Sequence, residues 1–205
     1  MTNFKTKLIS LALAACMLCA ASISVSAAEI NQSGGSGSTP VNLTTTNGGL
    51  NDDGTGGGTV TPTVPTALPL AMSDDGTVVT ADNCKIVNNS YGAVRVKTVT
   101  ISAASDWNLT SFGDKDSLAG EKVDSNKLGF ALSIGGGKEV MTNGNAKTQR
   151  LIAAPMEGCY MTGMGDASGN MAAIDYAAIV TPMSGAVNNT TIANVIFVIE
   201  WDLVD

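Results

Sequence analysis

The sequence predicts an all-β protein, an antiparallel β-sandwich that follows a disordered N-terminal linker. Three observations predict it. From Thr59 to Asp205, short runs rich in Val, Ile, Thr and Ala recur, separated by turns of Gly, Asn and Asp. Along the last run, "NVIFVIEWDL", Val195, Phe197, Ile199, Trp201 and Leu203 are apolar at every second position, the period of a strand with one buried face. No stretch of that region carries a convincing amphipathic helix. Composition agrees: 23 glycines in 205 residues, 14% charged and 4% aromatic, a mix typical of turn-rich β structure on an extracellular surface.

The elements follow in order. "MTNFKTK" is a short basic lead with Lys5 and Lys7, "LISLALAACMLCAASISV" is apolar, and "VSAAE" places small residues around Ala27. This predicts a secretory signal peptide over residues 1–28, cut after Ala27 or Ala28. "LAAC" also fits a lipobox, the alternative in which Cys16 becomes a lipidated N-terminus. The apolar run continues past Cys16 to the cleavage site, which favours the first reading. Residues 29–58, "EINQSGGSGSTPVNLTTTNGGLNDDGTGGG", hold few large apolar residues and no periodicity, and predict a flexible Gly/Ser/Thr/Asn-rich linker. Its "NDDG" lacks the spacing of a calcium loop.

The sandwich domain is predicted over 59–205. "TVTPTVPTALPL" carries Pro62, Pro65 and Pro69 and predicts an edge strand or an extended lead-in. Asp75-Gly76 between β-type runs predicts a hairpin, and turn chemistry accounts for the Asp74-Asp75 pair. A strand is expected near Lys85 to Val87, a turn at 88–92, and a long strand from Ala93 whose phase slips near Lys97 and Thr98, the mark of a β-bulge. "LGFALSI", "QRLIAAP", "GCYMTGMG", "MAAIDYAAIVTPM" and "NVIFVIEWDL" supply further strands. Gly135 to Gly137 predict a turn; no Gly-Lys-Ser/Thr follows to make them a phosphate loop.

Charge and residue inventory narrow the function. There is no histidine, which removes His-based triads, His metal ligands and the usual base near neutral pH. Loss of Lys5 and Lys7 with the signal peptide leaves 9 basic against 18 acidic residues, a net charge of −9. A phosphate-tracking nucleic-acid role is excluded on that balance. No second apolar stretch reaches the ~20 residues of a membrane span. No cofactor, no metal site and no catalytic group is expected. Cys84 and Cys159 are the two cysteines beyond the signal peptide. They form either a disulfide, worth roughly 4 kcal/mol for a loop of about 75 residues, or two buried reduced thiols. Tyr91, Tyr160 and Tyr176 are the candidates for glycan contact.

Both tryptophans are written W-x-L: Trp107 with Leu109 in "SDWNLTS", and Trp201 with Leu203 near the C-terminus. In a strand this spacing sets the Trp and Leu side by side on one face, so all four residues are expected in the core. Two such motifs, the second on the last strand of an exported chain, also resemble the WxL cell-surface domain of Gram-positive bacteria. In that family a Tyr stands six residues before the distal Trp, within a Leu-Thr-Trp-x-Leu core followed by a Pro. Here Val195 takes the Tyr position, "IEWDL" replaces the core, and no Pro follows. The resemblance implies display on the cell surface and non-covalent attachment to peptidoglycan. Another cell-wall glycan and other surface proteins are the further expected partners. The alternative expectation is a structural subunit, in which the Pro-rich lead-in strand adds to the open edge of a neighbouring domain and builds a fibre.

Overall fold

A computed structural model describes residues 27–29, 35–44, 62–90 and 92–202. The predicted signal peptide up to residue 26, most of the expected linker, Tyr91 and Leu203 lie outside the described residues. The described chain is all-β, two sheets packed face to face, and its only helical element is a 3-10 turn at Lys115–Leu118.

One sheet contains β1 (Ala27–Glu29), β3 (Thr63–Pro65), β6 (Lys85–Val87), β13 (Met171–Val180), β9 (Lys127–Ile134) and β10 (Val140–Met141) in that spatial order, with β8 (Asn108–Leu109) on β9. The other runs β11 (Thr148–Ile152), β7 (Val94–Ala103), β14 (Thr190–Trp201), β2 (Gly35–Thr44), β4 (Leu68–Met72) and β5 (Val78–Thr80), with β12 (Tyr160–Met161) on β7. Pairing is antiparallel except for β2 on β4 and β8 on β9.

The alternation read from the sequence is the alternation of burial. In β13, "MAAIDYAAIV", Ala172, Ile174 and Tyr176 point inward between exposed neighbours. In β14, Ile192, Val195, Phe197 and Ile199 are at most 2% exposed. They meet Phe130, Leu132, Ile86 and Leu70 in one core drawn from both sheets. Each such side chain contributes roughly 1.5–3 kcal/mol by leaving water. The hairpin at Asp75-Gly76 joins β4 to β5, with Gly76 at φ +79° where an L side chain is strained. The predicted bulge is present: Val198 faces Thr98 while Ile199 faces Val96, so Lys97 is the extra residue. Gly135 to Gly137 form a turn that interlocks with Glu157-Gly158. A Cβ on Gly158 would fall 1.9 Å from the Ile134 carbonyl oxygen, which is why glycine stands there.

Two expectations are corrected. The stretch 29–58 is not linker throughout: Gly35–Thr44 is a ten-residue strand in the middle of a sheet. It pairs antiparallel with β14 at nine positions, from Leu43 opposite Thr190 to Gly35 opposite Ile199, and parallel with β4 from Val41 to Thr44. Val41 and Thr39 are fully buried, and the Thr39 hydroxyl donates to the Pro65 carbonyl of the facing sheet. Its Gly, Ser and Pro content gives it little strand propensity; pairing along both edges imposes the conformation. The second correction concerns the prolines. β4 is an interior strand, between β2 and β5, and tolerates Pro69 because its pairing with β5 starts only at Leu70. β3 lies between β1 and β6, and cleavage after Ala28 would remove most of β1 and leave β3 at the edge.

Candidate functional site

The two W-x-L motifs part company. Trp107 is 5% exposed and Leu109 is fully buried. Trp107 follows a tight turn closed by its amide on the Ala104 carbonyl, and Lys147 donates to the Ser105 and Trp107 carbonyls. Leu109 pairs with Leu128 in β9. The proximal motif is core, as its spacing predicts.

Trp201 is 36% exposed, which corrects the expectation that it packs inside. It keeps the inward parity of Val195, Phe197 and Ile199, but it stands opposite Val94, the first residue of β7, where the strand pair ends. Gly92 lies against the ring: a Cβ there would come within 3.1 Å of it. Parity fixes which way the indole points; at a strand end too little of the facing sheet is left to cover it.

At the same end of the sheet, on the outer face and so opposite to the face toward which Trp201 points, lies a compact polar cluster. Arg95 in β7 stands opposite Glu200 in β14 on one side and Tyr160 in β12 on the other, so the three side chains form a row across the sheet. Arg95 Nε donates to Glu200 at 2.9 Å and its Nη1 to Asp202 at 3.3 Å, while Lys97 Nζ donates to Glu200 at 2.8 Å. Lys97, and then Arg95, hold the Glu200 carboxyl below the ordinary carboxylate range, and Glu200 in turn raises the Arg95 guanidinium. Tyr160 is 50% exposed. An aromatic ring, a guanidinium and two carboxylates thus share the outer face at one end of the sheet, with Trp201 at the same end on the other face.

The other expected site residues fall elsewhere. Tyr176 is not a surface tyrosine: it is 7% exposed, stacks on Phe130 with ring centroids 6.1 Å apart, donates to the Pro69 carbonyl and accepts from the Ala81 amide. Its phenol ties β13 to the chain around β4 and β5. Cys84 and Cys159 are both buried and stand as thiols rather than as a disulfide, with burial pushing the Cys159 thiol up.

A cleft of about 470 Å³ opens on another part of the surface, between the β4–β5 turn, the Lys115–Asp116 segment and residues 182–186. At its rim Asp75 accepts from the Thr77 amide and hydroxyl and from Lys115 Nζ. These bonds, the Thr77 amide first, lower its pKa from 3.8 to about 2. Asp75 is a turn-closing residue with its acceptor capacity engaged, in keeping with the turn chemistry read from the sequence. Among the described residues no group of three or more acidic or cysteine side chains is placed to hold a metal ion.

What the architecture defines is a class: an all-β, two-sheet sandwich with polar and aromatic groups gathered at one end of a sheet. Compared with family models, curated proteins and solved structures, the chain matches none.

Proposed function

We propose that the chain is an exported, non-catalytic module held at the Gram-positive cell surface by non-covalent contact with peptidoglycan or another wall glycan. The Trp201 end of the sandwich is the contact face. The observation that carries this reading is the exposed Tyr160 in a row with Arg95 and Glu200, with Asp202 on Arg95, at the end of the sheet where Trp201, on the opposite face, is also partly exposed, in a chain with only two tryptophans. Aromatic rings offer flat apolar area to sugar faces, and the flanking carboxylates and guanidinium supply directional hydrogen bonds. The signal-peptide pattern and the W-x-L resemblance point to the same location. Arg95 and Lys97 are already paired with acidic groups, and the net charge without the signal peptide is −9. Attraction to anionic wall polymers therefore does not drive binding. The test is co-sedimentation of the chain from Glu29 with isolated peptidoglycan, stripped or unstripped of teichoic acids. Retention on the stripped wall, resistance to high salt, and loss in Tyr160→Ala and Trp201→Ala variants that remain folded are expected. Protein left in the supernatant with both walls would overturn the reading.

A second reading, a structural subunit joined to its neighbours by strand addition, is favoured by one observation, the seat of β2. The Pro-rich lead-in is not the donor in this reading, because β4 is already an interior strand.

A further inference from the structure

β2 has an unusual relation to the rest of the sheet. Its sequence, "GSGSTPVNLT", is one of the least strand-like in the chain, yet both of its edges are paired. It is also the link between the two halves of its sheet: β11, β7 and β14 lie on one side, β4 and β5 on the other. Without it, β14 would present the edge of an apolar, β-branched strand, "TTIANVIFVIEW", along a slot shaped for Thr39 and Val41. Such an edge is a template for any extended segment that fits.

We infer that the slot between β14 and β4 accepts Gly35–Thr44 of a second copy of this chain, so that copies are joined by exchange of β2. The inference rests on the strand-addition reading and is independent of wall contact. What the slot recognises is carried identically by every copy: backbone pairing at nine positions of β14, the Thr39 hydroxyl on the Pro65 carbonyl, and the buried Val41 side chain. Exchange creates and destroys no contact within the fold, so concentration decides between self-insertion and exchange. Seventeen residues, 45–61, join the strand to Pro62. Extended, they reach at most about 60 Å, several times the ~10 Å between packed sheets, which is enough for the strand to enter a neighbour. Each copy then gives its N-terminal strand to one neighbour and takes one from another. This is a head-to-tail contact that grows into a chain of subunits unless two copies close on each other.

The Asn42 amide oxygen accepts from the Thr191 hydroxyl at 2.9 Å, so cysteines at these positions would meet. The experiment mixes two variants of the chain from Glu29, one carrying Asn42→Cys and the other Thr191→Cys. They are refolded together at rising concentration, then oxidised, and disulfide-linked peptides are read by mass spectrometry. Ser38→Cys with Ile196→Cys, which are also opposite in the register, is a second pair against the failure of either variant to fold. Asn42→Cys with Ile196→Cys is the control. Ile196 stands opposite Ser38, four residues along β2 from Asn42, so the control's partners are ~14 Å apart, beyond the ~7 Å that a disulfide allows. The proposal expects links between copies for both in-register pairs, increasing with concentration, and none for the control. It is overturned if the double variant Asn42→Cys/Thr191→Cys closes within its own chain while the mixture gives no link. It is also overturned if the control links as readily. Electron microscopy of the unsubstituted protein separates the two levels. Filaments without in-register links would refute this donor and leave strand addition standing; neither filaments nor links would refute both.

Discussion

Val41→Ala asks whether the N-terminal strand belongs to the fold. Read from composition, residue 41 lies in a solvated linker, and losing two carbons there would change nothing. In the structure Val41 is fully buried in the core, paired with Leu68 on one side and Ala193 on the other. Two buried carbon groups at ~0.8 kcal/mol each give about 1.6 kcal/mol, and the cavity left behind raises this to about 2 kcal/mol. In a domain of this size that is a fall of roughly 4–8 °C in Tm. Urea unfolding of the chain from Glu29 should show a lower midpoint with an unchanged slope. Asn42→Ala, on the partly exposed side, is the comparison and should cost less. A Val41→Ala variant within a few tenths of a kcal/mol of the parent would show that the strand is not seated, and the sheet order above would be wrong.

Further outcomes follow from the same packing. Trp107→Ala should cost ~3–5 kcal/mol, while Trp201→Ala costs less; in a Trp201→Phe variant the remaining emission should be blue-shifted and poorly quenched by acrylamide, and easily quenched emission would move Trp107 to the surface. Tyr176→Phe leaves the Pro69 carbonyl and Ala81 amide without their buried partner and should cost ~1–3 kcal/mol in urea melts; no change would mean that water serves them. Asp75, with its pKa lowered to about 2, favours the folded state above the unfolded value of 3.8, and that contribution is lost as pH falls from about 4 to about 2. Asp75→Asn should flatten this part of the acid-unfolding curve, and an unaltered curve would remove Asp75 from the account.

Where local chemistry decides the structure, the sequence was legible. Asp75-Gly76 closes a hairpin, Lys97 is the bulged residue, and the alternation in β13 and β14 is the burial pattern. What it hid depends on partners remote in the chain. Gly35–Thr44 becomes a strand because β14 and β4 bracket it, and the Asn42–Thr191 contact spans 149 residues of sequence. No local propensity reports such a partner. Trp201 was misplaced for a related reason: alternation gives the face of a side chain but not how far the cover above it extends. Tyr176 reads as a surface candidate until Pro69 and Ala81 are seen to take its hydroxyl.

The position of β14 between β7 and β2 also sets a schedule. Among the described strands of this sheet, β14 at its centre is made after all the others, and β2, which it must join, is made before them. A ribosome that has produced everything up to Gly185 has released β2, β4, β5 and β7 with no partner for the inner edges of β2 and β7. Those edges wait for residues 190–201, and closure across such a sequence span is slow. The nascent chain therefore stays unfinished, and open to unfolding and threading, until residues 190–201 have been made.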